Sequence, residues 1–310
     1  MKSFSGRKYL IIGTFILVAG LSFGPFTVKA ATTVYLDLEN QTIYKGDTFL
    51  VKIKISTPDK PINVIDGTLA YDNNKLEIKE VSTGGSLFVL WPKLPVFSNE
   101  KGNLAFIGGV PGGFQAEEGE VLKIFFIAKN NGEAKINFLD DFSVFLNDSK
   151  GTSAAPWLRP LSLNISKRPI EIPIKNEWQD LIDNDKTPPE FIEAIINRDP
   201  RLFDNQYFVS FFAVDKESGI AYYKIKEGNT DFVSVESPYF IKDQSLKSTV
   251  QIKVIDSAGN ENIIIPKLPS VPISEVSYKI YLIWGFTIFV ILALVFWLWR
   301  IWKTKLIRNI

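Results

Sequence analysis

The chain has no cysteine, no histidine and a single methionine in 310 residues. Without cysteine there are no disulfides and no thiolate nucleophile. Without histidine the commonest general base near neutral pH is gone, and the usual zinc ligands disappear with the pair. Most hydrolase constellations are therefore excluded. An excess of charge of one sign is lacking too: 35 Lys and Arg stand against 34 Asp and Glu, a formal net charge of +1, so no global field draws the chain to nucleic acid. A carboxylate-based glycosidase is the remaining catalytic option, and it needs two carboxyl groups facing across a cleft roughly 5 to 9 Å apart. Glu117, Glu118 and Glu120 are neighbours on one loop and read as solvated, so the chain reads as a non-enzyme.

The length allows two domains of ordinary size plus targeting segments, since domains cluster near ~100 to 150 residues. Residues 1–30 read as a secretory signal: Lys2, Arg7 and Lys8 precede the apolar stretch Tyr9–Leu21, and Val28-Lys29-Ala30 supplies a small-residue cleavage site. The alternative is an uncleaved membrane helix, because Tyr9–Val28 is nearly long enough to span. On either reading the chain from Ala31 onward is expected outside the cell. Tyr281–Trp299 carries no charge, and at about 1.5 Å per residue it measures about 28 Å, close to the hydrocarbon thickness. Lys279 precedes it, and Arg300, Lys303, Lys305 and Arg308 come after it. The positive-inside rule then predicts a single-pass cell-membrane protein with a cytosolic basic tail over 300–310 and extracellular domains before the span.

From Thr33 the apolar residues recur at every second position: Val34, Leu36 and Leu38, then, past the turn Tyr44-Lys45-Gly46-Asp47, Phe49, Val51, Ile53 and Ile55, with Lys52 and Lys54 between them. Period two with one polar side predicts antiparallel strands that have one wet face. Residues 62–71 continue the pattern, with Ile65, Leu69 and Tyr71 on one face and Val64, Asp66, Thr68 and Ala70 on the other, until Asp72-Asn73-Asn74 turns the chain. Further strands are predicted over 104–107, 121–128, 134–138, 143–146 and 161–165. Val121–Ala128 is apolar on both faces apart from Lys123, which predicts a central strand covered on each side. The whole is all-β, with a two-sheet sandwich or jelly roll over 31–166. Residues 167–187 read as a semi-rigid linker, charged and stiffened by Pro169 and Pro173, with one helical turn near Trp178–Ile182. A second, smaller sandwich is predicted over 188–268, alternating around the turns Asp215–Gly219 and Asp256–Asn260, and 269–280 joins it to the membrane segment 281–299.

The first unit resembles the cohesin family. The likeness is carried by the outward acid Asp66 followed by Tyr71-Asp72 and Leu76-Glu77, by Gly46-Asp47 ahead of a long alternating strand, by the Gly108–Gly113 segment leading through Glu120 into VLKIFFIAK and Asn131-Gly132, and by Asn147-Asp148 with Gly151-Thr152. The resemblance implies a jelly-roll sandwich that binds dockerin modules on the bacterial cell surface and in cellulosomes, a setting of polysaccharide breakdown. It also implies a non-catalytic role and places Asp66, with outward neighbours such as Thr68, in the surface that receives the dockerin helices. Calcium would then sit in the partner's paired loops, with no cofactor required in this chain. Val64 stands where many cohesins carry a polar contact residue, so partner specificity does not carry over. The plain reading of Asp66 is an acid on a solvated face. Asp215-x-x-Ser-Gly-Ile220 and Asp256-x-Ala-Gly-Asn260 resemble bacterial immunoglobulin-like modules that act as surface spacers.

Two further features invite chemistry. Phe88–Phe97 is an unusually apolar connector, and its Trp91 either faces the core or offers a ring to a sugar or a protein partner. The oxygen-rich turns at Asp140-Asp141, Asn147-Asp148, Asp215 with Glu217 and Asp256 with Asn260 suggest calcium, yet none has the ligand spacing of an EF-hand, and each reads as a turn closed by its own side chain. The leading expectation is a membrane-anchored extracellular scaffold that docks a dockerin-bearing protein. The alternatives are an adhesin that binds surface glycan through Trp91, and a purely structural spacer.

Overall fold

The computed structural model describes residues 31–40, 42–268 and 283–297. The proposed signal over 1–30, residues 269–282 and the basic tail lie outside the described residues. Residues 283–297 are helical, and the two residues at each end of the expected span 281–299 are not described. No helix among the described residues is long and apolar enough to cross a membrane.

The alternating stretches become strands where the period predicts them. The first unit holds β1 (Thr33–Leu38), β2 (Ile43–Tyr44), β3 (Thr48–Ser56), β4 (Ile62–Tyr71), β5 (Leu76–Ser82), β6 (Leu90–Ser98), β7 (Asn103–Phe114), β8 (Gly119–Ala128), β9 (Gly132–Phe138), β10 (Ser143–Leu146), β11 (Trp157–Arg159) and β12 (Leu161–Ser166). They form a five-stranded sheet, β11-β1-β3-β8-β5, and a seven-stranded sheet, β2-β12-β9-β4-β7-β6 with β10 also paired to β4. The two sheets enclose one core that includes Phe49, Ile53, Ile65, Leu69, Phe106 and Phe126. Phe126 stacks on Phe49 and takes the edge of Tyr71 at 5.3 Å between centroids, an arrangement that adds to the area these rings bury.

Glycine decides one detail of this core. Gly67 faces inward on β4, and a Cβ there would lie 2.5 Å from Phe142 Cδ2 and 2.7 Å from Phe142 Cα. The missing side chain lets Phe142 press against β4 and meet Phe138 and Phe106 edge-on at 4.7 and 6.1 Å.

The apolar run of β8 has a tertiary cause. Leu122, Ile124, Phe126 and Ala128 belong to the core, whereas Lys123 and Phe125, also buried, point the other way. Phe125 lies 4.9 Å from the ring of Trp178, which sits on helix α1 (Glu177–Asn184). The segment between the two sandwiches therefore lies along the first one. Asp47 accepts bonds from the Lys175 and Tyr44 amides at 2.8 and 2.9 Å and pairs with Arg168, and Glu177 accepts from the Leu50 amide at 2.7 Å.

The second unit comprises β13 (Glu190–Asp199), β14 (Leu202–Val214), β15 (Ile220–Glu227), β16 (Val233–Val235), β17 (Tyr239–Phe240), β18 (Val250–Asp256) and β19 (Glu261–Ile264). A three-stranded sheet, β13-β14-β17, and a four-stranded sheet, β16-β15-β18-β19, share a core of Ile196, Val209, Phe211, Ile225, Ile241 and Ile252.

Candidate functional site

Antiparallel register sets the outward face of the seven-stranded sheet. Residues 65, 67, 69 and 71 of β4 are buried, while Val64, Asp66, Thr68 and Ala70 are half-exposed. Directly opposite residues bring their side chains within about 4.5 to 5.5 Å, so the pairing defines rows across the sheet. One row runs Lys93, Ile107, Asp66, Ser143, and the next runs Val96, Ala105, Thr68. A third runs Leu90, Gly109, Val64, Phe145. The result is a broad, mildly apolar surface with one acid near its middle. At its β9 end a shallow depression of ≈ 430 Å³ is lined by Ala70, Tyr71, Asp72, Glu133, Lys135 and Asn137.

The residues singled out from sequence differ in how free they are. Among the described residues the Asp66 carboxylate takes part in no hydrogen bond or ion pair. Thr68 is engaged: its hydroxyl and amide donate to Asp141 at 2.6 and 3.2 Å, which fixes the β9–β10 loop beside β4. Trp91 packs edge-on against Phe88 and Phe106, each 6.3 Å away, and lies against the core. Asp66 and Thr68 thus share a face of one strand, while Trp91 sits on β6 with its ring held between two phenylalanines.

Residues 88–97 are not a connector. From Leu90 they form β6, an edge strand whose one partner among the described residues is β7, and the register shifts around Pro92 and Pro95. Proline lacks the donor a central strand needs, and edge strands and bulges tolerate it. The apolar side chains divide accordingly: Phe88 is buried, whereas Leu94 and Val96 are 64% and 61% exposed. Those two exposed residues are the part of the face that the alternation does not reveal, because the prolines interrupt it.

The glutamates 118 and 120 are not simply solvated. Glu118 accepts from Lys54 at 3.0 Å and from the Tyr35 hydroxyl at 2.9 Å, bonds that hold its carboxyl below the usual range. Glu120 lies 3.4 Å from the Lys123 ammonium. The turn at Asn147-Asp148 closes locally, with Asp148 accepting from the Lys150 amide at 2.9 Å; bonds from Thr152 lead the lowering of its pKa.

The outward face of the five-stranded sheet is occupied. Lys123 donates to the carbonyls of Gly84, Lys216 and Glu217 at 2.7, 3.3 and 3.0 Å, and the Gly85 amide donates to the Asp215 carbonyl at 2.9 Å. Gly84 permits this approach, since a Cβ on it would meet the Glu217 carbonyl oxygen at 2.2 Å. With α1 on one part of the sheet and the 215–219 turn on another, the seven-stranded sheet offers the open face.

Comparison with known proteins agrees on the first unit. The cohesin domain family model matches residues 34–155. Similar solved structures include a non-cellulosomal cohesin from Archaeoglobus fulgidus, at 19% identity over 44% of this chain and 93% of that one with a TM-score of 0.37. A type I cohesin–dockerin complex from Clostridium thermocellum matches at 16% identity, 45% and 96% coverage and a TM-score of 0.39. A type I cohesin from Pseudobacteroides cellulosolvens matches at 22% identity, 46% and 97% coverage and a TM-score of 0.37. No curated protein matched the chain. Residues 34–155 are a cohesin domain.

Proposed function

We propose that the chain is a non-catalytic receptor of the cell surface, anchored through 281–299, whose cohesin domain docks a dockerin-bearing protein on the outward face of the seven-stranded sheet. The observation that carries this reading is the contrast between the two sheets. The bonds from α1 and from the second sandwich run to the five-stranded sheet and its loops, while the rows through Asp66 and Thr68 receive none of them. Exposed Leu94 and Val96 supply apolar area beside the row, and Asp66 supplies an unpaired charge that a partner's cation or helix N-terminus can meet. The second sandwich, read as an immunoglobulin-like spacer, holds the face away from the bilayer. Trp91 contributes from the rim by supporting β6. Its ring is engaged by Phe88 and Phe106, which favours protein docking over sugar stacking.

The test is capture from the source organism's secreted and membrane extract on the immobilised full chain, in calcium and then in chelator, with wild type and Asp66→Lys side by side. The expected result is a protein with duplicated calcium loops that elutes in chelator and is retained at least tenfold less by the variant. Retention of polysaccharide alone, or equal retention by both chains, overturns the assignment.

A further inference from the structure

Three carboxylates far apart in sequence meet where the helix α1 segment enters the second sandwich. Asp185 caps the end of α1, Asp215 follows β14, and Asp256 ends β18. Each offers an oxygen, and these oxygens all lie within 4.8 Å of one another. The three residues are only 3%, 6% and 2% exposed. Burying one unpaired carboxylate is already costly, and three in contact add mutual repulsion. Lysine and arginine do not relieve it: among the described residues no basic nitrogen lies within 4.0 Å of any of the three.

A second observation comes from the hydrogen bonds. Asp215 Oδ1 accepts from the Glu217 and Gly219 amides at 3.0 and 2.7 Å, which closes the turn as the sequence predicts. Among the described residues Asp215 Oδ2, Glu217 Oε2 and the Ser218 hydroxyl, all of this one turn, are buried atoms with no hydrogen-bond partner. Buried polar atoms are satisfied in the great majority of cases. Three orphans in one turn, at a cluster of buried acids, point to a missing ligand. The other two acids have partners that hold them in place: Asp185 accepts from the Ser218 and Thr187 amides at 3.1 and 3.0 Å, and Asp256 accepts from the Asn260 amide and side chain at 2.8 and 2.9 Å.

We propose that Asp185, Asp215 and Asp256 bind a divalent cation, calcium by preference, at the junction between the two domains. All the donors are hard oxygens, and calcium at ~2.3 to 2.6 Å from each ligand accommodates oxygens up to roughly 5 Å apart. Magnesium is held more often by one or two carboxylates and a shell of water, which suits a dry three-carboxylate site poorly. The ion would do mechanical work. Lys216 and Glu217, one and two residues past Asp215, present the carbonyls that receive Lys123 of the cohesin domain, so fixing the turn fixes the angle between the domains. This inference does not depend on the docking reading, and a partner's own calcium does not enter its test.

The experiment uses the full chain alone in detergent, stripped with EDTA and then titrated with calcium by calorimetry, followed by thermal unfolding. The expected result is one calcium per chain, a rise of several degrees in the unfolding temperature, and binding that persists in excess magnesium. Asp215→Asn and Asp256→Asn should each weaken calcium binding at least tenfold while unfolding in EDTA no earlier than wild type, because each removes a charge from the cluster. Should a variant fail to fold, hydrogen exchange on the wild-type chain serves instead, with calcium-dependent protection expected at 185–187, 215–219 and 256–260. A wild-type chain with no calcium binding, or calcium protection confined to other segments, overturns the proposal.

Discussion

The Lys123 ammonium, on a central strand of the cohesin domain, donates to the backbone carbonyl of Glu217 in the second sandwich at 3.0 Å. Two further carbonyls and the Glu120 carboxylate complete its shell, so the charge is satisfied in a place where water is largely excluded. A lysine that would be an anomaly in an isolated sandwich becomes the clasp between two of them.

Lys123→Met keeps most of the stem volume and removes the clasp. Hydrogen bonds to charged groups contribute about 1.5 to 3 kcal/mol, and here they couple domains more than they hold either one together. Scanning calorimetry should resolve the two sandwiches as separate transitions in the variant where they are coupled in the wild type. An unchanged thermogram would mean that the bonds from the Gly85 amide to Asp215 and from the Ser82 hydroxyl to Ser218 carry the coupling without the lysine.

Gly67→Ala tests the close approach of Phe142. The clash involves the Phe142 backbone as well as its ring, so the neighbour cannot simply rotate away, and overpacking of this kind costs about 1 to 3 kcal/mol. Urea unfolding should show the loss in the cohesin domain. A variant as stable as wild type would show that β10 shifts freely.

Tyr71 sets an alkaline limit. Its hydroxyl donates to Asn99 Oδ1 at 2.6 Å, and burial, with the Glu77 charge adding, pushes its pKa up to about 12 from an ordinary value near ~10. A folded pKa raised above the unfolded one gives stability that is complete below pH ~10 and is lost as pH climbs toward 12, since over that window only the unfolded chain releases the proton. Tyr71→Phe should be less stable at neutral pH by about 1 kcal/mol and should flatten the alkaline decline. Unfolding midpoints measured from pH 8 to 12 decide it, and parallel curves for the two chains would refute it.

Trp178→Ala probes the docking of α1. The indole is half-buried and covers Phe125, which is fully buried, so its removal should cost about 1 to 2 kcal/mol, a fraction of a fully buried aromatic. Limited proteolysis should then cut within 167–187 where wild type resists. Equal resistance would show that the Asp47 anchor suffices without the ring.

The period-two alternation made most of the cohesin domain readable in advance. Residues 33–38, 48–56 and 62–71 occupy strands with the expected faces inward, because a strand that buries one side must space its apolar residues by two. Asp66 and Thr68 were legible as outward residues for the same reason. Thr68's tie to Asp141 was not, since it depends on a loop more than seventy positions away. β6 escaped because Pro92 and Pro95 interrupt its alternation, and only the edge position of the strand makes them tolerable.

Local pattern by itself determined most strands of the first sandwich, their faces and the turns at Asp215 and Asp256, since each depends on dihedral preferences and polarity within a few residues. The sequence also marked β8 as covered on both sides without saying by what. Tertiary structure alone decided that α1 and the 215–219 turn are the cover, that the opposite sheet is left open, and that Asp185, Asp215 and Asp256 share one buried point. Those outcomes turn on which distant segments can approach without a clash. Here Gly84 allows that approach, and no spacing along the chain records it.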